Sequence, residues 1–154
     1  MAIHTFAAIY IGTYDVSLKV FEFTNRKKFH EVDHIRSRQE LGKGTYGTGT
    51  IGYEQVEELC ETLAQFKEIM ESYKVDSYEV CAAAALRDTT NEIFVLDQIY
   101  LRTGFRVKVL SNSEHRFISY KAVAGSPVFE EMIKTSAACL LYTSPSPRDY
   151  AASR

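Results

Sequence analysis

The sequence predicts an α/β protein: a mixed β-sheet carrying helices on its faces, in the order β-β-β-α-β-α-β-α. Three observations predict it. Two apolar, strand-like runs near the start are separated by only four residues, Gly12 to Asp15. A long amphipathic helical pattern occupies the middle, and strand-like and helix-like segments alternate after it. A meander followed by strand–helix alternation is the pattern of a mixed sheet with helices on its faces.

Each element has its own reason. Residues 5–11 (TFAAIYI) are a continuous apolar run, and residues 16–23 (VSLKVFEF) alternate with Val16, Leu18, Val20 and Glu22 on one face, so the pair reads as a hairpin. Residues 29–38 (FHEVDHIRSR) follow a short polar turn and are expected as a third strand. Residues 41–52 (LGKGTYGTGTIG) hold five glycines and are expected as a loop. In residues 53–73, Val56, Leu59, Cys60, Leu63, Phe66, Met70 and Tyr73 recur at helical spacing, with glutamates opposite. Residues 78–85 (YEVCAAAA) read as a buried strand. A second helix is expected over Thr90–Arg102, with Ile93, Leu96, Ile99 and Tyr100 inward and Gly104 as its C-cap. FRVKVL (105–110) alternates as a strand, and residues 111–124 (SNSEHRFISYKAVA) form a third helix behind a Ser cap.

Composition narrows the function classes. The 154 residues suffice for one domain with a core, expected over 1–125, with an irregular tail over 126–154. The tail string CLLYTSPSPRD (139–149) resembles a translated sequencing adapter. Residues from about Ala137 onward are therefore expected to be non-biological, and the natural protein to be longer; the other reading is a Pro/Ser-rich linker. A net charge of −2 gives no reason to expect a nucleic-acid partner, and no apolar run is long enough to span a membrane. MAIHTF lacks the features of a secretory signal, so a cytoplasmic location is expected. Cys60, Cys81 and Cys139 are scattered and form no metal-binding pair; Cys60 and Cys81 read as small core residues.

Four short stretches carry possible chemistry. HEVDH (30–34) would place two histidines on one zinc, with Glu31 as base, if it were helical. On a strand, residues four apart are separated by about 13 Å, too far to share an ion. GKGTYG (42–47) spells a dinucleotide fingerprint, but it does not open a helix directly after a strand as that fingerprint requires. Arg87, just past a buried strand, either grips phosphate with two parallel hydrogen bonds or pairs with Asp88. Glu114 in SNSEHR either caps its helix by reaching back to Ser111 or faces a cleft as a base.

Taken together, AAIYIGTYDVSLKVF, LGKGTYGTG, CAAAALRDTTNEIF and VKVLSNSEHRFISYKAV resemble, in order and spacing over about residues 5–124, the exopolyphosphatase / guanosine pentaphosphatase (Ppx/GppA) family. The resemblance implies the first lobe of a ribonuclease-H-like fold of the actin-like ATPase superfamily. It implies hydrolysis of terminal phosphates from polyphosphate or guanosine pentaphosphate in a cleft between two lobes, with Mg²⁺, and a homodimer as one possible state of the full-length parent. It also implies that Gly12, Thr13 and Tyr14 in the hairpin turn, with Arg87, bind phosphate, since successive N–H groups in a tight turn form an anion-binding concavity.

Several positions depart from the family pattern. The family's metal-side Asp, in a stretch like A-A-I-D-I-G-S-N-S, falls on Tyr10, and a neutral phenol does not replace its charge. The family's Glu-Glu pair falls on Glu114 and His115, so an imidazole stands where the water-activating carboxylate is expected. The T-S-A-L-R segment becomes Ala83-Ala84-Ala85-Leu86-Arg87, and the Gly-rich second phosphate loop is absent. The sequence thus points to the N-terminal part of a phosphoanhydride hydrolase, expected to be inactive alone. The alternatives are a phosphate or nucleotide sensor and, through HEVDH, a zinc hydrolase.

Overall fold

A computed structural model describes residues 3–25 and 28–125, and the expected tail lies outside these. The described residues fall into two compact units that divide after Ser111.

The first unit is built on five strands: β1 (His4–Ile11), β2 (Asp15–Asn25), β3 (Lys28–Arg38), β4 (Ser77–Ala82) and β5 (Lys108–Val109). Their order across the sheet is β3-β2-β1-β4-β5. β1 pairs antiparallel with β2 and parallel with β4, so the sheet changes character at β1. The helices of this unit are α1 (Leu41–Gly47), α2 (Tyr53–Ser72), α3 (Ala84–Arg87) and α4 (Glu92–Thr103); α5 (Asn112–Ala124) belongs to the second unit.

The alternation in β1 and β2 decides the core. Ala7, Ile9, Ile11, Val16, Leu18 and Val20 are fully or almost fully buried on one face. Against them pack Val56, Leu59, Cys60, Leu63, Phe66 and Met70 of α2 and Val95 and Ile99 of α4. The opposite face carries an aromatic cluster, with Phe6 edge-on to Phe23 at 6.4 Å and Phe29 against Phe21 at 5.8 Å. β3 forms one edge of the sheet; Glu31 accepts from Lys19 on β2, and such charges discourage edge-to-edge pairing. Gly104 adopts a left-handed conformation (φ 76°) and its N–H caps α4 on Tyr100 O at 2.8 Å, as its position predicts.

Several expectations are corrected. The glycine-rich stretch is not a loop throughout, because residues 41–47 form α1. The reason is close packing. A Cβ on Gly42 would lie 2.4 Å from Thr13 Cγ2, and one on Gly44 would lie 2.5 Å from Thr50 O. These glycines let a helix approach its neighbours; they do not unwind it. The alanine run splits: β4 ends at Ala82, and Ala84–Arg87 makes the short helix α3, in keeping with alanine's helix preference. The last strand shrinks from 105–110 to Lys108–Val109, because β4 offers it only Cys81 and Ala82 as partners. On α4 the inward residues are Val95 and Ile99, while Ile93 and Tyr100 are exposed. Tyr73 is also exposed, its hydroxyl donating to Asp33 Oδ2 at 2.9 Å. Cys81 is half-buried, whereas Cys60 is a core residue.

Candidate functional site

Strand direction fixes where a site can form. β1, β4 and β5 run parallel, so their C-terminal ends share one edge of the sheet. The backbone ladder continues past each strand: Ala83 N–H donates to Ile11 O at 3.1 Å, and Leu110 N–H to Ala82 O at 2.9 Å. Ligands in open α/β sheets sit beyond such ends, where the strand order reverses. Here that is the boundary between β1 and β4, and it is flanked by the 12–15 turn and by α3.

The turn is open rather than packed away. Gly12 is buried and its N–H donates to Asp15 O at 2.8 Å, closing the hairpin. A Cβ at Gly12 would lie 2.9 Å from that oxygen and 3.2 Å from Tyr10 Cε1, so only glycine fits. Thr13 is half-buried and Tyr14 is 68% exposed. Their carbonyls are engaged from behind, Thr13 O by Gly42 N–H and Tyr14 O by Gln39 N–H, both at 2.9 Å. Among the described residues, the N–H groups of Thr13 and Tyr14 enter no backbone hydrogen bond. The anion-binding capacity of the turn therefore rests on those two amides, while Gly12 shapes the turn.

Arg87 closes the other side. Its Nε donates to Asp88 Oδ1 at 2.9 Å, Nη2 to Asp88 Oδ2 at 3.4 Å and Nη1 to Leu110 O at 3.3 Å. The guanidinium carries five N–H donors, so these bonds leave one on each terminal nitrogen. The Asp88 pairing and a phosphate-gripping role are thus compatible. Tyr10 stands on β1 between Ser17 and Cys81. Burial pushes its phenol up from the usual range, Asp15 and Cys81 add to this, and Arg87 opposes it. Tyr10 is therefore a neutral group within electrostatic reach of Arg87.

One residue at this site is not singled out by the sequence. Tyr46, on α1, donates to Asp88 Oδ2 at 3.5 Å and is also hydrogen-bonded to Thr13. Its phenol too is pushed up, first by burial and then by Asp88. It links the turn to the Arg87–Asp88 pair. α1 itself is anchored to the same region: Thr45 Oγ1 donates to Ala85 O at 2.8 Å, and Asn91 clasps Ile51 by accepting from its N–H at 3.0 Å and donating to its carbonyl at 2.9 Å. No local pattern announces these partners, which lie 40 residues apart in the chain.

Glu114 and His115 lie in the first turn of α5, Glu114 exposed and His115 half-buried. The carboxylate there is favourable to the helix dipole. HEVDH lies wholly within β3, so His30 and His34 are too far apart to share a zinc, and that reading is overturned. Nor does the turn supply a good cradle for Mg²⁺. A protonated phenol occupies position 10, Asp15 pairs with Arg36 at 3.0 Å, and Asp88 holds Arg87. Among the described residues, no three His, Cys, Asp or Glu side chains converge as a metal-binding group. No described helix is long and apolar enough to cross a membrane.

Comparison with known proteins identifies the family and the fold. The Ppx/GppA phosphatase family matches residues 20–134. A Ppx/GppA family member from Aquifex aeolicus superimposes with a TM-score of 0.72 at 27% identity, over 80% of this chain and 40% of that one. An exopolyphosphatase-like protein matches with a TM-score of 0.67 at 25% identity, over 74% of this chain and 34% of that one. A Cytophaga hutchinsonii exopolyphosphatase shares the fold, with a TM-score of 0.68 at 24% identity over 71% and 35% of the two chains. A bifunctional 3-dehydroquinate synthase/phosphatase of Fusobacterium nucleatum is 21% identical over 130 residues, 78% of this chain and 19% of that protein. The chain thus spans two fifths or less of the length of these relatives. The five-stranded mixed sheet is that of the actin-like, ribonuclease-H-like fold to which the Ppx/GppA structures belong. With the family match covering well over half of its residues, the chain belongs to the Ppx/GppA phosphatase family.

Proposed function

We propose that this chain is the phosphate-gripping lobe of a hydrolase of terminal phosphoanhydride bonds, acting on polyphosphate or guanosine pentaphosphate, and that alone it binds without turnover. The observation that carries this reading is the meeting, at the carboxyl edge of the sheet, of the open Thr13–Tyr14 turn and the tethered guanidinium of Arg87. The turn offers two amides. Arg87 offers charge and two directed N–H groups, which suits a phosphate's oxygens. Phosphoryl transfer also needs an activated water and neutralisation of developing charge. Position 115 carries an imidazole, and position 10 a phenol, in place of the family carboxylates.

Tyr10 favours a second reading, in which the longer protein senses phosphate or nucleotide without consuming it. The neutral phenol suits anion binding better than metal-assisted hydrolysis. Two measurements test the proposal. Release of orthophosphate from polyphosphate by the purified chain should be indistinguishable from the no-protein control. Binding of tripolyphosphate, by calorimetry, should weaken about tenfold or more in Arg87→Ala, the scale of one charge-assisted contact. Turnover at ordinary enzymatic rates refutes the first statement, and unchanged affinity in Arg87→Ala refutes the second.

A further inference from the structure

The geometry points to metal-independent phosphate binding at the 12–15 turn, an inference that rests on the phosphate-binding reading above. A Mg²⁺-assisted site needs oxygen ligands that can be arranged octahedrally, commonly one or two carboxylates beside waters and the phosphate itself. Among the described residues of the first unit, Asp15, Asp88 and Glu40 are carboxylates near this turn, and each is already matched with an arginine: Arg36 at 3.0 Å, Arg87 at 2.9 Å and Arg38 at 2.9 Å. A cation drawing on any one of them would release a positive guanidinium beside itself. Position 10, on the strand leading into the turn, holds a phenol. That side chain adds no negative charge for a metal to neutralise.

The remaining groups already form a donor set for a phosphate. They are the amides of Thr13 and Tyr14 and the two remaining N–H groups of Arg87. Asp88 both orients Arg87 and receives the Tyr46 hydroxyl, so the guanidinium is held for binding before any ligand arrives. An anion entering here meets directed donors and one cation, without these carboxylates facing it unscreened.

The experiment titrates the full 154-residue chain with inorganic phosphate, reading the backbone amide resonances of Thr13 and Tyr14, once in EDTA and once in millimolar MgCl₂. The expected result is shifts of these amides with dissociation constants agreeing within about threefold between the two buffers. Restoring a carboxylate with Tyr10→Asp should create the dependence that is missing. Affinity in EDTA should fall about tenfold or more, from like-charge repulsion across a few ångströms, and Mg²⁺ should recover most of it. Tyr10→Phe, which keeps the ring, should stay insensitive to Mg²⁺. Binding by the natural chain only in Mg²⁺ overturns the inference and leaves the phosphate-binding reading standing. No amide shift in either buffer overturns both.

Discussion

Replacing Gly44 by alanine tests whether the glycines of α1 serve close packing or flexibility. The added Cβ would stand 2.5 Å from the Thr50 carbonyl oxygen, 2.6 Å from Gln55 Oε1 and 3.1 Å from Ile51 Cα. Reaching the 3.4 Å of ordinary contact with Thr50 O requires the backbone to give by about 0.9 Å. Overpacking of this kind costs about 2 kcal/mol. Gln55 must also move, and its side chain joins Gly52 N–H (3.1 Å) to Glu40 O (2.8 Å); losing one such bond costs about 1 kcal/mol. Alanine's better helix propensity returns about 1 kcal/mol. The net expectation is destabilisation by about 2 kcal/mol, read as a lower urea midpoint at unchanged m-value and a Tm drop of roughly 4–8 °C. Gly47→Ala in the same helix is the control. Nothing lies within 4 Å of its added Cβ, so it should be neutral or stabilising by up to about 1 kcal/mol. If Gly44→Ala proves as stable as Gly47→Ala, the packing account of α1 is wrong.

Two further predictions concern the scaffold. Ile99→Ala, at a fully buried position, should cost about 2–5 kcal/mol, whereas Ile93→Ala, at a 77% exposed position on the same helix, should stay within about 0.5 kcal/mol; equal losses by chemical denaturation would contradict the orientation of α4. The Glu57–Arg102 pair, which ties α2 to α4, should show itself in the pH dependence of stability. Its hydrogen bonds with Arg102 hold the Glu57 carboxyl at about 2, below its unfolded value of 4.5. A lowered native pKa stabilises fully above the unfolded value and fades as pH falls through the native one. The Tm difference between the natural chain and Glu57→Gln should therefore be largest above about pH 5 and shrink toward pH 2. A difference that grows on acidification would refute the assignment.

What the linear order of residues determined is periodic and local. The i, i+3, i+4 recurrence from Val56 to Met70 marks α2 and its buried stripe, because one helix face must leave water. The alternation of Val16, Leu18 and Val20 places β2 on the core for the same reason. Gly104 announces the end of α4, since a left-handed residue there favours glycine. The Gly12 turn and Arg87 are visible as candidates because turn and strand-end chemistry is carried by a few adjacent residues.

Only the tertiary structure decided what depends on partners far apart in the chain. Glycine lowers helix propensity wherever it occurs, so nothing within residues 41–47 distinguishes a flexible loop from a helix pressed against Thr13 and Thr50. Ile93 and Ile99 are chemically alike, and their burial differs because α2 and the sheet cover one side of α4 only. The link from Thr13 through Tyr46 to Asp88 and Arg87 joins three segments that meet only after the sheet forms. Periodicity records which face is buried; it does not record what lies against that face, and the candidate site is made of those long-range approaches.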